Sequence, residues 1–269
     1  MCPFISLSAG GVTLIITTYN LMMLLAFCSV VGYGWARRER MLLSGDNFWG
    51  LITAVAAGGM AGAKLFYIVN SWAELGPGLS DKLSSVMRLS RGWGFYGGLA
   101  GASAAAAYFL SRNKIPVRRT ADLFAPAAAL GGAIMRLGCF SAGCCYGRIT
   151  GVPWAVSFPR IFSRIPEQLQ GIPLHPTQLY ESLGNLALFG ALHFLTRKYD
   201  KVRRPPGSLF LGYVCGYSAL RFFVEFFRAQ GAGYAGGLTG GQKISVIAVL
   251  AAAALFAGNY RGLKNGGPE

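Results

Sequence analysis

The chain has 269 residues, of which 53% are hydrophobic and only 13% charged, against about 25% charged in soluble domains. Its formal net charge is +15, but the basic residues fall in short blocks between apolar runs. That pattern excludes an ordinary soluble domain and a nucleic-acid-binding protein, and it indicates a polytopic membrane protein.

The opening "MCPFISLSAG" has no basic side chain, so no cleavable signal peptide is expected and Cys2 is not expected to be a lipoprotein cysteine. Residues 11–35 then carry no charge across 25 positions, where a spanning helix needs about 20. Further apolar runs place seven predicted spans at 11–35, 47–70, 93–110, 121–138, 178–196, 207–226 and 242–259. The blocks "ARRER" (36–40), "SRNKIPVRR" (111–119), "RKYDKVRR" (197–204) and "RGLK" (261–264) hold 14 of the 25 Lys and Arg residues. They occupy every second loop, which is the positive-inside pattern. The expected architecture is an all-α integral membrane protein of seven transmembrane helices, with the N-terminus outside and the C-terminus cytoplasmic. Residues 1–269 form a single expected domain, with outer segments at 71–92, 139–177 and 227–241 and a disordered tail from about 262 to 269. The longest connection, 139–177, is rich in Pro and Gly, and long connections of this kind usually carry function.

Small residues crowd "AVAAGGMAGA", "GGLAGASAAAA" and "APAAALGGA". They suit close helix packing in lipid, and some of them equally suit room for an acyl chain. Ionisable groups inside spans are costly and mark candidate sites: Lys64 in the second span, Arg136 at the outer end of the fourth, and Arg221 and Glu225 in the sixth. In "GYSALRFFVEFFR", Tyr217, Arg221 and Glu225 are spaced i, i+4, i+8 and share a helix face, with Arg228 close to it. This set reads either as an ion pair fixing helix packing or as an anion site. Guanidinium groups bind phosphate bidentately, so Arg136 and Arg221 near the outer boundary suggest recognition of a phospholipid headgroup. The stretch "LHPTQLYES" (174–182) opens the fifth span, with Thr177 as a helix cap and Glu181 near the helix N-terminus. His175, Gln178, Tyr180 and Glu181 thereby gather at a membrane edge, as a well-built helix start or as the lining of a polar site. His193, Cys28 and Cys215 are read as packing residues.

These stretches together resemble the prolipoprotein diacylglyceryl transferase family. The resemblance rests on Tyr19 in "TTYNLM", "YGGLAGA" (96–102), "ADLFAP" (121–126), "RLGCFSAGCCYGR" (136–148), "FP" (158–159), "HPTQLYE" (175–181) and "YSALRFFVEFFR" (217–228). It implies transfer of the diacylglyceryl group of phosphatidylglycerol, as a thioether, to the lipobox cysteine in the signal peptide of a lipoprotein precursor. Glycerol-1-phosphate leaves, with no metal or organic cofactor, in the bacterial cytoplasmic (inner) membrane. By this resemblance Arg136 and Arg221 hold the phosphate, with Tyr96 and Glu225 beside them as catalytic candidates. Tyr19, Gly97, Gly98, Gly138, Cys139, Gly147, His175, Gln178, Tyr180, Glu181 and Tyr217 are the remaining substrate-binding candidates.

Three positions depart from the family pattern. Tyr96 stands where the family motif has His, and a phenol is far less ready to accept a proton near neutral pH. Cys139 stands where the family has Asn, and Cys144, followed by Cys145, where it has Glu. Four readings of the three cysteines stay open: a zinc site with His175 as the fourth ligand, a disulfide, buried thiols, or a thiol that takes the lipid group transiently. The glycines at 138, 143 and 147 are expected to let the loop fold over a ligand. Two rivals accompany the transferase reading: a paralogue with another acceptor, and a membrane protein that binds or transports phospholipid without chemistry.

Overall fold

The computed structural model describes residues 4–9, 12–41, 43–72, 94–159, 165–199, 205–229 and 237–264, with Leu75, Gly78, Ser80 and Ser84. Among these, seven long helices follow one another: α1 (Thr18–Trp35), α2 (Gly45–Asn70), α3 (Phe95–Arg112), α4 (Val117–Ser141), α5 (Thr177–Tyr199), α6 (Ser208–Glu225) and α7 (Gly240–Lys264). Each lies on one of the seven apolar runs. By length and composition, Gly45–Asn70, Val117–Ser141 and Gly240–Gly258 are long and apolar enough to cross a membrane.

The boundaries differ from the sequence reading in three respects. The first helix begins at Thr18, because Val12–Thr17 is a strand (β2) paired antiparallel with Phe4–Ala9 (β1). The β-branched run "VTLIIT" explains this: such side chains lose rotamer freedom in a helix and pack well on a strand. The fourth helix continues to Ser141, so Cys139 is helical and not part of the following loop. Lys264 is still helical, so residues 262–264 of the expected tail belong to the last helix, and 265–269 lie outside the described residues. Most of segment 71–92 also lies outside them, as do 230–236 of segment 227–241. A second small sheet pairs Val156–Ser157 (β3) with Pro173–Leu174 (β4).

The chain divides into two compact units, residues 35–120 and residues 1–34 with 121–269. In the unit of residues 35–120, Ser44 caps α2, its Oγ accepting from the Asn47 N–H at 3.2 Å. Helices α2 and α3 meet through two G-x-x-x-G patterns, Gly58/Gly62 and Gly97/Gly101. A Cβ on Gly62 would lie 2.3 Å from the Gly97 carbonyl oxygen, and one on Gly101 2.2 Å from that of Gly58. Only glycine permits this approach, and the close packing it allows is a common basis of helix association in lipid. Gly97 and Gly98 are therefore packing residues of this pair, Gly98 resting on Ala63 and the Gly59 carbonyl. Lys64 Nζ lies 5.6 Å from the Tyr67 ring centroid.

In the other unit, α4 is central. It packs on α1 through Gly131 against Val30 and Gly138 against Met22. It meets α5 through the Ser182 hydroxyl, which donates to the Ala133 carbonyl at 2.9 Å. His193 Nδ1 and Tyr33 Oη lie 3.1 Å apart, with Phe189 packed on both rings, which is the packing role read for that histidine. Helix α6 starts after Gly207, whose φ of 93° only glycine adopts readily. Glycine has no capping side chain, so Asp122 of α4 supplies one. Its carboxylate is fully buried and accepts from the Gly207 N–H at 2.7 Å and the Phe210 N–H at 2.9 Å. Two orphan donors and the positive helix end are thereby satisfied. Asp122→Ala should lower stability by about 1–2 kcal/mol through loss of this cap, read as a fall in unfolding temperature in detergent. An unchanged temperature would show that the cap is dispensable.

Large apolar side chains point away from the protein along α2, α5 and α7, among them Trp49, Met60, Leu65, Leu183, Phe194, Ile247 and Leu250. Polar and charged side chains are buried instead: Asp122, Gln178, Glu181, Asn185 and Glu225. Helices with apolar outer faces and satisfied backbones are the form that lipid allows.

Candidate active site

The site is built at the ends of α4, α5 and α6. Helix α5 begins at Thr177, and its first turns carry Gln178, Tyr180 and Glu181. Glu181 is 1% exposed and meets three arginines. Its carboxylate lies 2.5 Å from Arg136 Nε, 2.8 Å from Arg221 Nη1 and 3.4 Å from Arg228 Nη1. Glu225, also buried, lies 2.8 Å from Arg221 Nη2 and 3.8 Å from Arg228 Nε, and accepts from the Thr239 hydroxyl at 3.3 Å. Arg221 thus bridges both carboxylates, one by the helical i, i+4 spacing and one across to α5. Gly241 of α7 lies against the Glu225 carboxylate, a Cβ there being 3.1 Å from Oε1.

Three guanidinium groups and two carboxylates leave the cluster with one net positive charge. Guanidinium stays protonated at any working pH, so the three positive charges are fixed. Charges taken out of water need close partners, and the shared carboxylates supply them while leaving each fork of N–H donors partly unused. The arrangement can hold one monoanionic oxyanion, such as a phosphodiester, and stabilise further charge developing on it.

Segment 142–176 is stitched to the end of α6. Gly147 pairs with Arg228 as an antiparallel bridge, the Arg148 N–H donates to the Phe227 carbonyl at 2.9 Å, and the Arg148 side chain donates to the Phe226 carbonyl. A Cβ on Gly147 would lie 2.5 Å from the Phe227 carbonyl oxygen and 2.6 Å from that of His175. Gly147 is thus required by close approach, Gly138 by its contact with α1, and only Gly143 uses a positive φ, 67°. Below this loop, Tyr146, Phe158, Ile165 and Leu174 form a buried apolar cluster.

Two polar relays branch from the helix start. Trp154 Nε1 donates to Tyr180 Oη at 2.8 Å, and Tyr180 Oη lies 3.1 Å from His175 Nδ1. Tyr180 Oη thus links the indole and the imidazole. Burial, and then the Arg148 charge, push the His175 proton affinity below its ordinary value. In the second relay the Thr177 hydroxyl donates to the Cys145 carbonyl and Gln178 Nε2 to the Cys144 carbonyl, each at 2.7 Å. The sulfurs of Cys139, Cys144 and Cys145 lie within 4.8 Å of one another, and none of the three is in a disulfide. Hydrogen bonds from the Cys139 and Cys144 thiols, and then the Arg228 and Arg136 charges, hold the Cys145 thiol below its ordinary range.

The structure therefore brings together Arg136, Arg221, Glu225, Glu181, Gln178, Cys139 and Gly147. Tyr217 stacks on Tyr213. The backbone carbonyl of Tyr19 faces Gly138. Tyr96, Gly97 and Gly98 belong to the other compact unit. Sequence reasoning underrated Arg228, although its i+3 spacing from Glu225 was visible. It had no signal for Trp154, Thr239 or Gly241, whose roles depend on contacts between distant segments.

Comparison with known proteins adds an independent line. Residues 8–257 match the model of a family described as prolipoprotein diacylglyceryl transferase. The chain is 36% identical over 233 residues to a protein of Geobacter sulfurreducens, covering 84% of each chain. It is 38% identical over 199 residues to one of Sinorhizobium medicae, covering 71% of this chain and 66% of that one. A Bordetella bronchiseptica protein is 33% identical over 253 residues, covering 88% of both. All three relatives bear the name phosphatidylglycerol–prolipoprotein diacylglyceryl transferase.

Proposed function

The chain belongs to the prolipoprotein diacylglyceryl transferase family, and from that premise we propose that it transfers the diacylglyceryl group of phosphatidylglycerol to the lipobox cysteine of lipoprotein precursors. The observation that carries this reading is the cluster of Arg136, Arg221 and Arg228 around Glu181 and Glu225. Its single net positive charge matches the single negative charge of a phosphodiester. The acceptor's thiolate sulfur attacks the glycerol carbon that bears the phosphate. A C–S bond forms, the C–O bond breaks, and glycerol-1-phosphate leaves with the electron pair. The leaving phosphate gains negative charge in the transition state, and Arg136 and Arg221 stabilise it there. The acceptor thiol's proton leaves before attack, because the thiolate is the nucleophile. Tyr217, Gln178 and the Tyr180–His175 relay line the headgroup side. Tyr19, Gly138, Cys139 and Gly147 shape the same end, and Tyr96 with Gly97 and Gly98 joins the proposal through its place in the sequence motif.

The protein is embedded in a membrane. We place it in the bacterial inner membrane as one transferase domain of seven spans, with the site at the outer face, where lipid headgroups and the precursor's signal peptide meet. Reporter fusions after Arg119 and Arg204 should read cytoplasmic, and a fusion near Ile165 should read exterior. An inward reading near Ile165 would discard this topology.

The transfer itself is tested by incubating the purified full-length protein with phosphatidylglycerol and a lipobox peptide, then weighing both products. The peptide should gain one diacylglyceryl group on its cysteine as glycerol phosphate appears. Lipid consumed with the peptide unmodified would point to a different acceptor. Tyr96, Cys139 and Cys144 favour such a reading, since they replace the polar residues of the family motif.

A further inference from the structure

The transferase reading uses the backbone turn at Cys139 and assigns no chemistry to the three thiols. Cys139 lies in the last turn of α4, Cys144 and Cys145 in the turn that follows, and the three sulfurs converge within 4.8 Å. The convergence is built into the backbone. Cys145 has a φ of 61°, a left-handed conformation that non-glycine residues adopt rarely and hold only when their surroundings impose it. Three contacts impose it: the Cys144 N–H donates to the Cys139 carbonyl at 3.1 Å, and Thr177 and Gln178 of α5 pin the Cys145 and Cys144 carbonyls. A second observation is independent of the sulfurs. Gln178 is 1% exposed, and its Oε1 is a buried acceptor with no hydrogen-bond partner. Its Nε2 donates to the Cys144 carbonyl, so this orphan acceptor belongs to a side chain anchored on the cysteine loop. Buried unsatisfied acceptors call for a specific partner.

We propose that Cys139, Cys144 and Cys145 form a three-thiolate site for a thiophilic divalent cation of the zinc class, with water in the fourth position donating to Gln178 Oε1. Tetrahedral zinc with sulfur ligands at about 2.3 Å sets its sulfurs roughly 3.8 Å apart, and the three sulfurs already lie within 4.8 Å of one another. On binding, three S–H bonds break, three protons pass to solvent and three metal–sulfur bonds form, with no change of oxidation state. Three thiolates and a divalent ion carry one net negative charge. Arg136 and Arg228, both within electrostatic reach of Cys145, balance it, so cationic neighbours that would repel a bare ion favour the complex. The ion braces the junction of α4, the loop and α5. Its existence does not depend on which acceptor the enzyme uses.

The test uses the full-length protein in detergent, reduced and stripped of metal. Zn²⁺ uptake is measured by competition with a chromophoric chelator, and Cd²⁺ serves as a spectroscopic probe through its sulfur-to-metal charge-transfer band. One Zn²⁺ per chain is expected, with a Cd²⁺ band of three thiolates per ion and protection of three thiols from alkylation. Cys139→Ser, Cys144→Ser and Cys145→Ser should each weaken Zn²⁺ binding at least about 100-fold, and Gln178→Ala, an outer partner, by about 10–100-fold. The double change Cys28→Ser with Cys215→Ser should leave binding unchanged. Absence of stoichiometric uptake, a band of fewer than three thiolates, or uptake indifferent to these three cysteines overturns the proposal. The wild-type measurements decide it even where a variant fails to fold.

Discussion

Glu181→Gln is expected to reduce transfer by at least about 100-fold and to destabilise the protein by about 3–5 kcal/mol, the range for removing one partner of a buried ion pair. The reason is the number of charges that one carboxylate serves. Glu181 lies between Arg136, Arg221 and Arg228 at 2.5, 2.8 and 3.4 Å. Its loss raises the cluster from one to two net positive charges and leaves only Glu225 to pair Arg221 and Arg228. Arg136 would then face two other guanidinium groups with no anion in contact. The rate per folded molecule and the unfolding temperature are both measured, so that loss of fold is separated from loss of chemistry. A Glu181→Gln protein of normal rate and stability would remove the cluster from the mechanism.

Arg221→Ala should reduce transfer by about 10²–10³-fold, the usual effect of deleting one preorganised donor to a developing oxyanion. Arg136→Ala should do the same. Arg221→Lys should also impair transfer, because an ammonium cannot bridge Glu181 and Glu225 while presenting a planar fork to phosphate. Glu225→Gln separates two roles: near-normal rates would make Glu225 a packing partner only. The transfer assay with phosphatidylglycerol and a lipobox peptide reads each variant, and full turnover by Arg221→Ala would sink this mechanism.

Much of the helical layout was legible in the sequence because the signals for it are local. Apolar length marked seven runs, and seven helices lie on them; the sixth run, read as 207–226, is helical over Ser208–Glu225. The spacing of Arg221 and Glu225 announced their ion pair, since residues four apart on a helix are neighbours, and they lie 2.8 Å apart. Val12–Thr17 escaped the same reasoning. Its hydrophobicity is equally consistent with a helix or a strand, and its pairing with Phe4–Ala9 decided between them.

By itself, then, the sequence determined the membrane class, the seven apolar runs on which helices lie and their order, and the arginines at their ends, because composition, apolar length and i, i+4 spacing act within single segments. Tertiary structure alone decided what those charges do. Glu181 reads locally as a residue favourable at a helix start, yet its partners lie 45 residues before it on α4 and 40 and 47 after it, at Arg221 and Arg228. Asp122 likewise caps a helix 85 residues away, and the three cysteines converge only because Thr177 and Gln178 hold Cys145 at a φ of 61°. The rotation and depth at which one helix meets another depend on packing at many positions at once. A buried charge takes whichever partner that packing brings within about 4 Å, because leaving it unpaired costs several kcal/mol.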